Sequence, residues 1–413
     1  VKPKTFMLNA GEASGDLLAA ELVSALLAAS KQGGDGHAPQ FFGAGGSKMA
    51  EVGVELAFDM TEHAVVGFSD VVKNYFKFRR LFNQMLALAI ERKPDVIIGV
   101  DFGGFNLRFG HAVKEYVRDN PFSKWNPKIV QFVSPQVWAS RPGRADLLAA
   151  DYDLLLSIFP FEKDWYAKRV PKLRVEFVGH PMVGRFQKAE SGKRKAETVE
   201  CGDVSPLSSA RHVAQFQSAD VSAHSKILLL PGSRKSELQR HLPVMFGALK
   251  LIRERLPDAL AKMVLPDEDL KQLANRPAHF PKDLEIQIGN LPQALAQADV
   301  AIASTGTVTM ECALFGVPTV TLYKTSWFNY EIAKRIVTVK WATMLNILAN
   351  EEVFPEFIQN AATPEAISRA TMELLQDESR RAKIKSQVAG IVSSLGEQGA
   401  AGRAAAAILS LFA

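Results

Sequence analysis

The feature that most constrains this chain is a pattern that occurs twice. Short β-branched or apolar runs alternate with stretches of helical period, and one long polar segment interrupts the alternation. In the first series the runs are Thr5–Asn9, Gln40–Gly43, Val96–Val100, Lys128–Val133, Leu154–Ser157 and Val175–Val178. Between them, Leu17–Ala29, Phe76–Glu91 and Leu107–Val117 carry apolar residues at helical spacing. Each run is too short for a helix and is bounded by Gly, Pro or Asp, as expected of buried parallel strands with crossover helices. From about Arg185 to His224 the chain is polar and reads as a linker or surface insertion. A second series follows in Ile227–Leu230, Met263–Leu265, Glu285–Ile288, Val300–Ala303 and Thr319–Leu322, and after Pro364 the chain reads as helix only. The pattern predicts an α/β chain with two doubly wound, Rossmann-like domains, over residues 1–184 and 226–375. A polar insertion would occupy 185–225 and C-terminal helices 376–413. Ligands of such sheets bind beyond the carboxyl ends of the strands, so two facing domains would place both sets of loops on one cleft.

Composition narrows the function classes. Hydrophobic residues make up 47% of the 413, which excludes disorder throughout. Two cysteines, Cys201 and Cys312, exclude a disulfide scaffold and a cysteine zinc site and suit a reducing compartment. No apolar run is expected to approach the roughly 18 residues of a membrane span. The opening Val1-Lys2-Pro3-Lys4 lacks the apolar core of a signal peptide, so a cytoplasmic protein is expected. The formal charge of +5 suits an anionic substrate or lipid surface and gives no argument for nucleic acid.

The loops after the strands hold the candidate chemistry. The first strand runs into Gly11-Glu12-Ala13-Ser14-Gly15-Asp16, which has neither the dinucleotide fingerprint nor a Walker lysine. It reads either as a plain turn capped by Ser14 or Asp16, or as a site carrying two carboxylates and a serine. Asp101 stands at the carboxyl end of the run Val96–Val100 among apolar neighbours. Partial desolvation there raises a carboxyl's pKa and makes it a better base; the alternative is a helix cap, a task Asn106 could fill. The loop Ser134-Pro135-Gln136-Val137-Trp138-Ala139-Ser140-Arg141 suits a sugar or phosphate, or is a proline turn with a packed Trp.

In the second series, Pro231-Gly232-Ser233-Arg234 leads into a helix, an arrangement in which backbone N–H groups and an arginine can hold phosphate. Ser304-Thr305-Gly306-Thr307 opens a second helix, with Glu311 one turn beyond Thr307 and able to accept both hydroxyls of a ribose. Capping explains each loop singly; two in one domain point to a nucleotide diphosphate. The triplets Asp151-Tyr152-Asp153 and Asp267-Glu268-Asp269 could hold a divalent metal, but the first precedes its strand and the second suits a helix start. No metal and no cofactor is therefore expected.

These motifs, taken in order, resemble lipid-A-disaccharide synthase, a glycosyltransferase family of the two-domain GT-B fold. The resemblance rests on Gly11–Asp16, Pro94-Asp95-Val96 through Asp101, Val133–Ala139, Phe159–Lys163, Phe177–Pro181, Leu230–Arg234 with Glu237, Gly306–Glu311 and Leu345–Ala349. It implies an inverting, metal-independent transfer from UDP-diacylglucosamine to diacylglucosamine 1-phosphate, giving a β-1,6-linked disaccharide and UDP. It implies Asp101 as general base beside Glu12. Gly232, Ser233, Arg234, Glu237, Gly306, Thr307 and Glu311 would lie on the UDP side, and Gly11, Ser14, Ser134 and Asn346 at the acceptor or cleft. The chain departs from the family pattern at Gly104, where an acid is usual. The resemblance further suggests a homodimer with exchanged C-terminal elements. The alternatives are a UDP-N-acetylglucosamine 2-epimerase and a non-catalytic nucleotide-sugar-binding protein.

The stretch from Val65 to Phe82 mixes aromatics, aliphatics and cations. As a helix from Asp70 it would set Val71, Val72, Tyr75, Phe78 and Phe82 near one side. That side is either core-facing or a peripheral contact with the inner face of an anionic membrane, beside an acyl groove. Acylated substrates favour the second.

Overall fold

A computed structural model of the chain describes residues 4–32, 38–60, 75–185, 225–276, 280–281 and 283–412. The chain divides into two compact units, Val1–Gly184 with Leu395–Ala413, and Arg185–Ser394. In the first unit β1 (Thr5–Ala10), β2 (Gln40–Gly45), β3 (Glu55–Asp59), β4 (Val96–Val100), β5 (Lys128–Phe132), β6 (Leu154–Ser157) and β7 (Val175–Phe177) form one parallel sheet. Its strand order is β3-β2-β1-β4-β5-β6-β7. The second unit's parallel sheet contains β8 (Lys226–Leu230), β9 (Leu260–Leu265), β10 (Glu285–Ile288), β11 (Val300–Ser304), β12 (Thr319–Tyr323) and β13 (Glu356–Ile358). Its order is β10-β9-β8-β11-β12-β13. Both are doubly wound, and each order reverses once: between β1 and β4, and between β8 and β11. A chain leaving two adjacent strands in opposite directions opens a crevice at their carboxyl ends.

The core explains why these runs form strands. Every residue of β4 and of β11 is buried, which calls for the apolar runs Val96–Val100 and Val300–Ala303. Two strands lie outside the predicted runs, β3 and β13. Both are edge strands with exposed or half-buried positions, and neither needs a continuous apolar run.

The helix Ala13–Gln32 is a correction to expectation: by length and composition it could cross a membrane. Here it is the crossover from β1 to β2. It buries Ala19, Leu22, Val23 and Leu26 and packs against the helix Ala400–Leu409. The helix after β3 is described from Tyr75 to Arg92. Val71 and Val72 lie outside the described residues, as do the side chains of Tyr75 and Phe78. Phe82, expected on a lipid-facing side, packs edge-on to Phe105 and Phe109 at 5.4 and 5.8 Å. The C-terminal helices do not form one block. Pro364–Gln376 and Glu378–Ser394 belong to the second unit, and Ala400–Leu409 returns to the first. The return is fastened where His180 N donates to Leu395 O (2.8 Å) and Arg403 Nε donates to Val178 O (2.8 Å).

Candidate functional site

At the first unit's switch point, β1 leads into Gly11-Glu12 and β4 into Asp101. Register pairs Ala10 with Val100, which brings the two loops side by side. Gly11 is buried against the Phe102 ring, and Gly15 lies beside the Asp101 Cβ, while Ser14 is exposed. Asp101 and Phe102 have φ of +49° and +45°, a left-handed pair without a glycine. Such residues cost about 1–3 kcal/mol each and persist where the surroundings over-determine them, commonly at functional sites. The Asp101 carboxyl is pushed above the ordinary carboxylate range, first by burial and then by the nearby charge of Glu12, against a hydrogen bond from the Phe102 backbone. A raised pKa strengthens a carboxylate as a proton acceptor. Asn106 is not a cap: its Nδ2 turns back to the Asp101 carbonyl at 2.9 Å.

Neighbouring residues prove to be supports. Asp16 is buried and accepts from Gly46 N (2.9 Å), Lys48 N (2.9 Å) and Met49 N (3.1 Å), so it caps the helix Ser47–Glu51 rather than its own. Ser134 is 3% exposed and donates to the Tyr166 hydroxyl. Trp138 is buried and donates to Glu162 at 3.0 Å. In this loop the Trp is packed, and Ser134 is enclosed beside it. Burial pushes the Glu162 carboxyl up to about 7, against the hydrogen bonds from Trp138 and the Phe159 backbone. Gly104 is exposed with open space at its Cβ position, so packing does not dictate the missing acid.

At the second unit's switch point, β8 ends in Pro231-Gly232-Ser233-Arg234 and β11 in Thr305-Gly306-Thr307. Gly232 has φ +118°, and a Cβ there would lie 2.3 Å from Glu237 Oε2. Only glycine allows that carboxylate to close on the loop. Glu237 accepts from Ser233 N (3.2 Å) and lies 3.6 Å from Arg234 Nη1. Its carboxylate therefore engages its own loop. Ser233 and Arg234 are exposed at the start of the helix Lys235–Arg255; Gly306 and Thr307 are exposed at the start of Thr307–Leu314. Two helix N-termini with an exposed guanidinium form an anion-binding arrangement. One turn on, the half-buried Glu311 is pushed upward by burial, with Arg185 pulling the other way. Asn346 is fully buried: it donates to Phe354 O and Glu356 (both 2.8 Å) and accepts from Val353 N and Phe354 N (both 2.9 Å). All four of its hydrogen bonds are internal, and they hold the loop that leads into β13.

One residue here escaped sequence reasoning. His241 is fully buried, with Nδ1 2.7 Å from Pro231 O and Nε2 accepting from Lys324 N at 3.0 Å. The carbonyl assigns the ring proton to Nδ1, and burial lowers the imidazole's pKa. It ties the Pro231 loop to the end of β12. Its place on a helical apolar face was the available signal. Three acids of the triplets have protein partners: Asp151 pairs with His111 at 2.7 Å, Asp153 with Lys114 and Lys128 at 3.2 Å, and Asp267 caps Leu270 N at 2.8 Å.

Solved structures share this architecture. The glycotransferase of kitacinnamycin superposes with a TM-score of 0.58 at 17% identity, covering 99% of each chain. The UDP-GlcNAc 2-epimerase from Neisseria meningitidis, bound to UDP-GlcNAc, gives 0.57 at 11% identity, covering 100% of this chain and 99% of that one. Likeness to a transferase and an epimerase alike shows the GT-B fold and leaves the chemistry open. Sequence separates the two. The lipid-A-disaccharide synthase of Trichlorobacter lovleyi is 34% identical over 421 residues, covering 99% of this chain and 98% of that protein. Its counterpart in Myxococcus xanthus is 31% identical over 412 residues, with the same coverage. A family model described as lipid-A-disaccharide synthetase matches residues 6–409, a span that takes in both switch points, and the chain belongs to that family.

Proposed function

We propose that this glycosyltransferase of lipid A biosynthesis moves diacylglucosamine from UDP-2,3-diacylglucosamine to 2,3-diacylglucosamine 1-phosphate, with inversion. The observation that carries the reading is Asp101, presented at a switch point in a left-handed turn with its carboxyl tuned upward. Asp101 takes the proton of the acceptor's 6-hydroxyl as that oxygen attacks the anomeric carbon. The bond from that carbon to the UDP oxygen breaks, and UDP leaves with the electron pair. One displacement inverts the anomeric centre and yields the β-1,6 disaccharide 1-phosphate. Arg234 and the helix start at Thr307 stabilise the charge growing on the diphosphate, and Glu311 accepts from the ribose. Asp151, Asp153 and Asp267 of the Asp-x-Asp triplets are engaged by protein partners, which supports metal independence; activity should survive a chelator. The acylated substrates support peripheral attachment to the inner face of an anionic membrane, measurable as salt-sensitive liposome co-sedimentation. A homodimer is testable by sedimentation.

The decisive experiment compares two variants. Asp101→Asn should lower kcat by about 10²–10⁴-fold with UDP affinity unchanged. Arg234→Ala should weaken UDP binding by roughly 1.5–3 kcal/mol. Wild-type turnover of folded Asp101→Asn would overturn the base assignment, and unchanged calorimetric UDP affinity of Arg234→Ala would remove the arginine from the diphosphate site.

A further inference from the structure

Three residues at adjacent strand ends hold positive φ without being glycine: Asp101, Phe102 and, at +68°, Val133. A β-branched residue there is a genuine outlier, so something must hold these turns. Two buried carboxamides do. Asp101 O accepts from Asn106 Nδ2 at 2.9 Å and from Gln131 Nε2 at 2.8 Å, which uses both lone pairs of that carbonyl. Gln131 Nε2 also reaches Val133 O at 3.3 Å, so a single amide group bridges the turns after β4 and β5. Asn106 is 2% exposed and Gln131 0%.

Register explains how the pair fits. Asn9, Gly99 and Gln131 lie in one row across β1, β4 and β5. A Cβ at Gly99 would come within 2.6 Å of Gln131 Oε1 and 2.8 Å of Asn106 Cβ, so the glycine makes room for both amides. Asn106 Oδ1 and Gln131 Oε1 accept no hydrogen bond among the described residues. The donor ends therefore set the orientation, because a flipped amide would put oxygen against the Asp101 carbonyl oxygen.

We infer that Gln131 and Asn106 are positioning residues for the transfer reaction, holding the Asp101 carbonyl so that its backbone stays left-handed and its carboxylate stands beyond the sheet. Both are enclosed, so they act through Asp101 and not on a substrate. The inference rests on the reading of Asp101 as the base.

Gln131→Met keeps the size of the side chain and removes the donor. It should lower kcat about ten- to a hundredfold, as misplacement of a reacting group does, with the KM for the nucleotide sugar unchanged within about twofold. In an Asp101→Asn background the same substitution should change kcat by less than about twofold, because the group it positions is already gone. The acid limb of the kcat–pH profile should also move in Gln131→Met alone. Asn106→Leu goes through the same cycle and decides the matter if Gln131→Met does not melt cooperatively. Unchanged kcat in the single variants, or an equal loss in both backgrounds, overturns the inference. Wild-type turnover in Asp101→Asn itself sinks the base reading beneath it, and that arm tells the two failures apart.

Discussion

Asp101 is subject to two influences that add: burial, and the charge of Glu12. A general base works when deprotonated, so turnover falls as pH drops through its pKa, and both influences set that fall above the usual carboxylate range. Glu12→Gln removes the repulsion and leaves the burial. The acid limb of the kcat–pH profile should shift to lower pH, while staying above that of a solvated aspartate. A limb that does not move would show that burial alone sets it. The position of Asp101 and Glu12 after adjacent strands was legible in the sequence because it is a local property. What spacing did not show is where Glu237, Ser134 and Asn346 turn, because a side chain's direction is not local. Each turns into its own loop or onto a nearby residue that spacing does not reveal: Glu237 onto Ser233, Ser134 onto Tyr166, Asn346 onto Phe354 and Glu356.

Among elements, the first crossover shows how one carboxylate can fasten two helices. The helix Ser47–Glu51 has glycine at its N-cap and no side-chain cap of its own. Asp16, thirty residues earlier and in the first turn of another helix, supplies the acceptors. Asp16→Ala would leave the N–H groups of Gly46 and Met49 buried without partners, each costing about 1–3 kcal/mol. Denaturant titration should show a loss of about 3 kcal/mol, with turnover per folded molecule retained. A loss below about 1 kcal/mol would mean that water reaches the turn. The same contrast governs which strands were legible. β4 and β6 are buried on both faces, so their apolar runs coincide with their boundaries. β3 and β13, at sheet edges, need no such run, and their pairing depends on the neighbouring strand more than on their own composition. The doubly wound class was readable from the alternation; the position of each order reversal became visible only with the pairings.

For the whole molecule, the informative segment is the chain's end. Residues beyond Ser394 leave the second unit and complete the first. The sequence reads as helix only after Pro364 and gives no indication of which unit the end of the chain serves, because small apolar residues fit any groove. Its contribution can be bounded. Leu395 and Ile408 are fully buried, each stabilising by about 1.5–3 kcal/mol, and Ala400, Ala404 and Ala405 are buried between them. Arg403 adds donors to Val178 O, Gln398 O and Glu397 O. The sum is of order 5 kcal/mol, comparable with the whole stability of an ordinary domain. Deleting residues 395–413 would also uncover Ala13–Gln32, the helix apolar enough to pass for a membrane span. The truncated chain should therefore lose or sharply lower the melting transition of the first unit, bind an apolar dye, and lose turnover. The second unit keeps all its own strands and loops, so calorimetric UDP affinity should stay within about twofold of the full chain. A truncation that leaves both transitions in place would show that the tail only rests on the first unit. One that abolishes UDP binding would show that the second unit cannot fold without it.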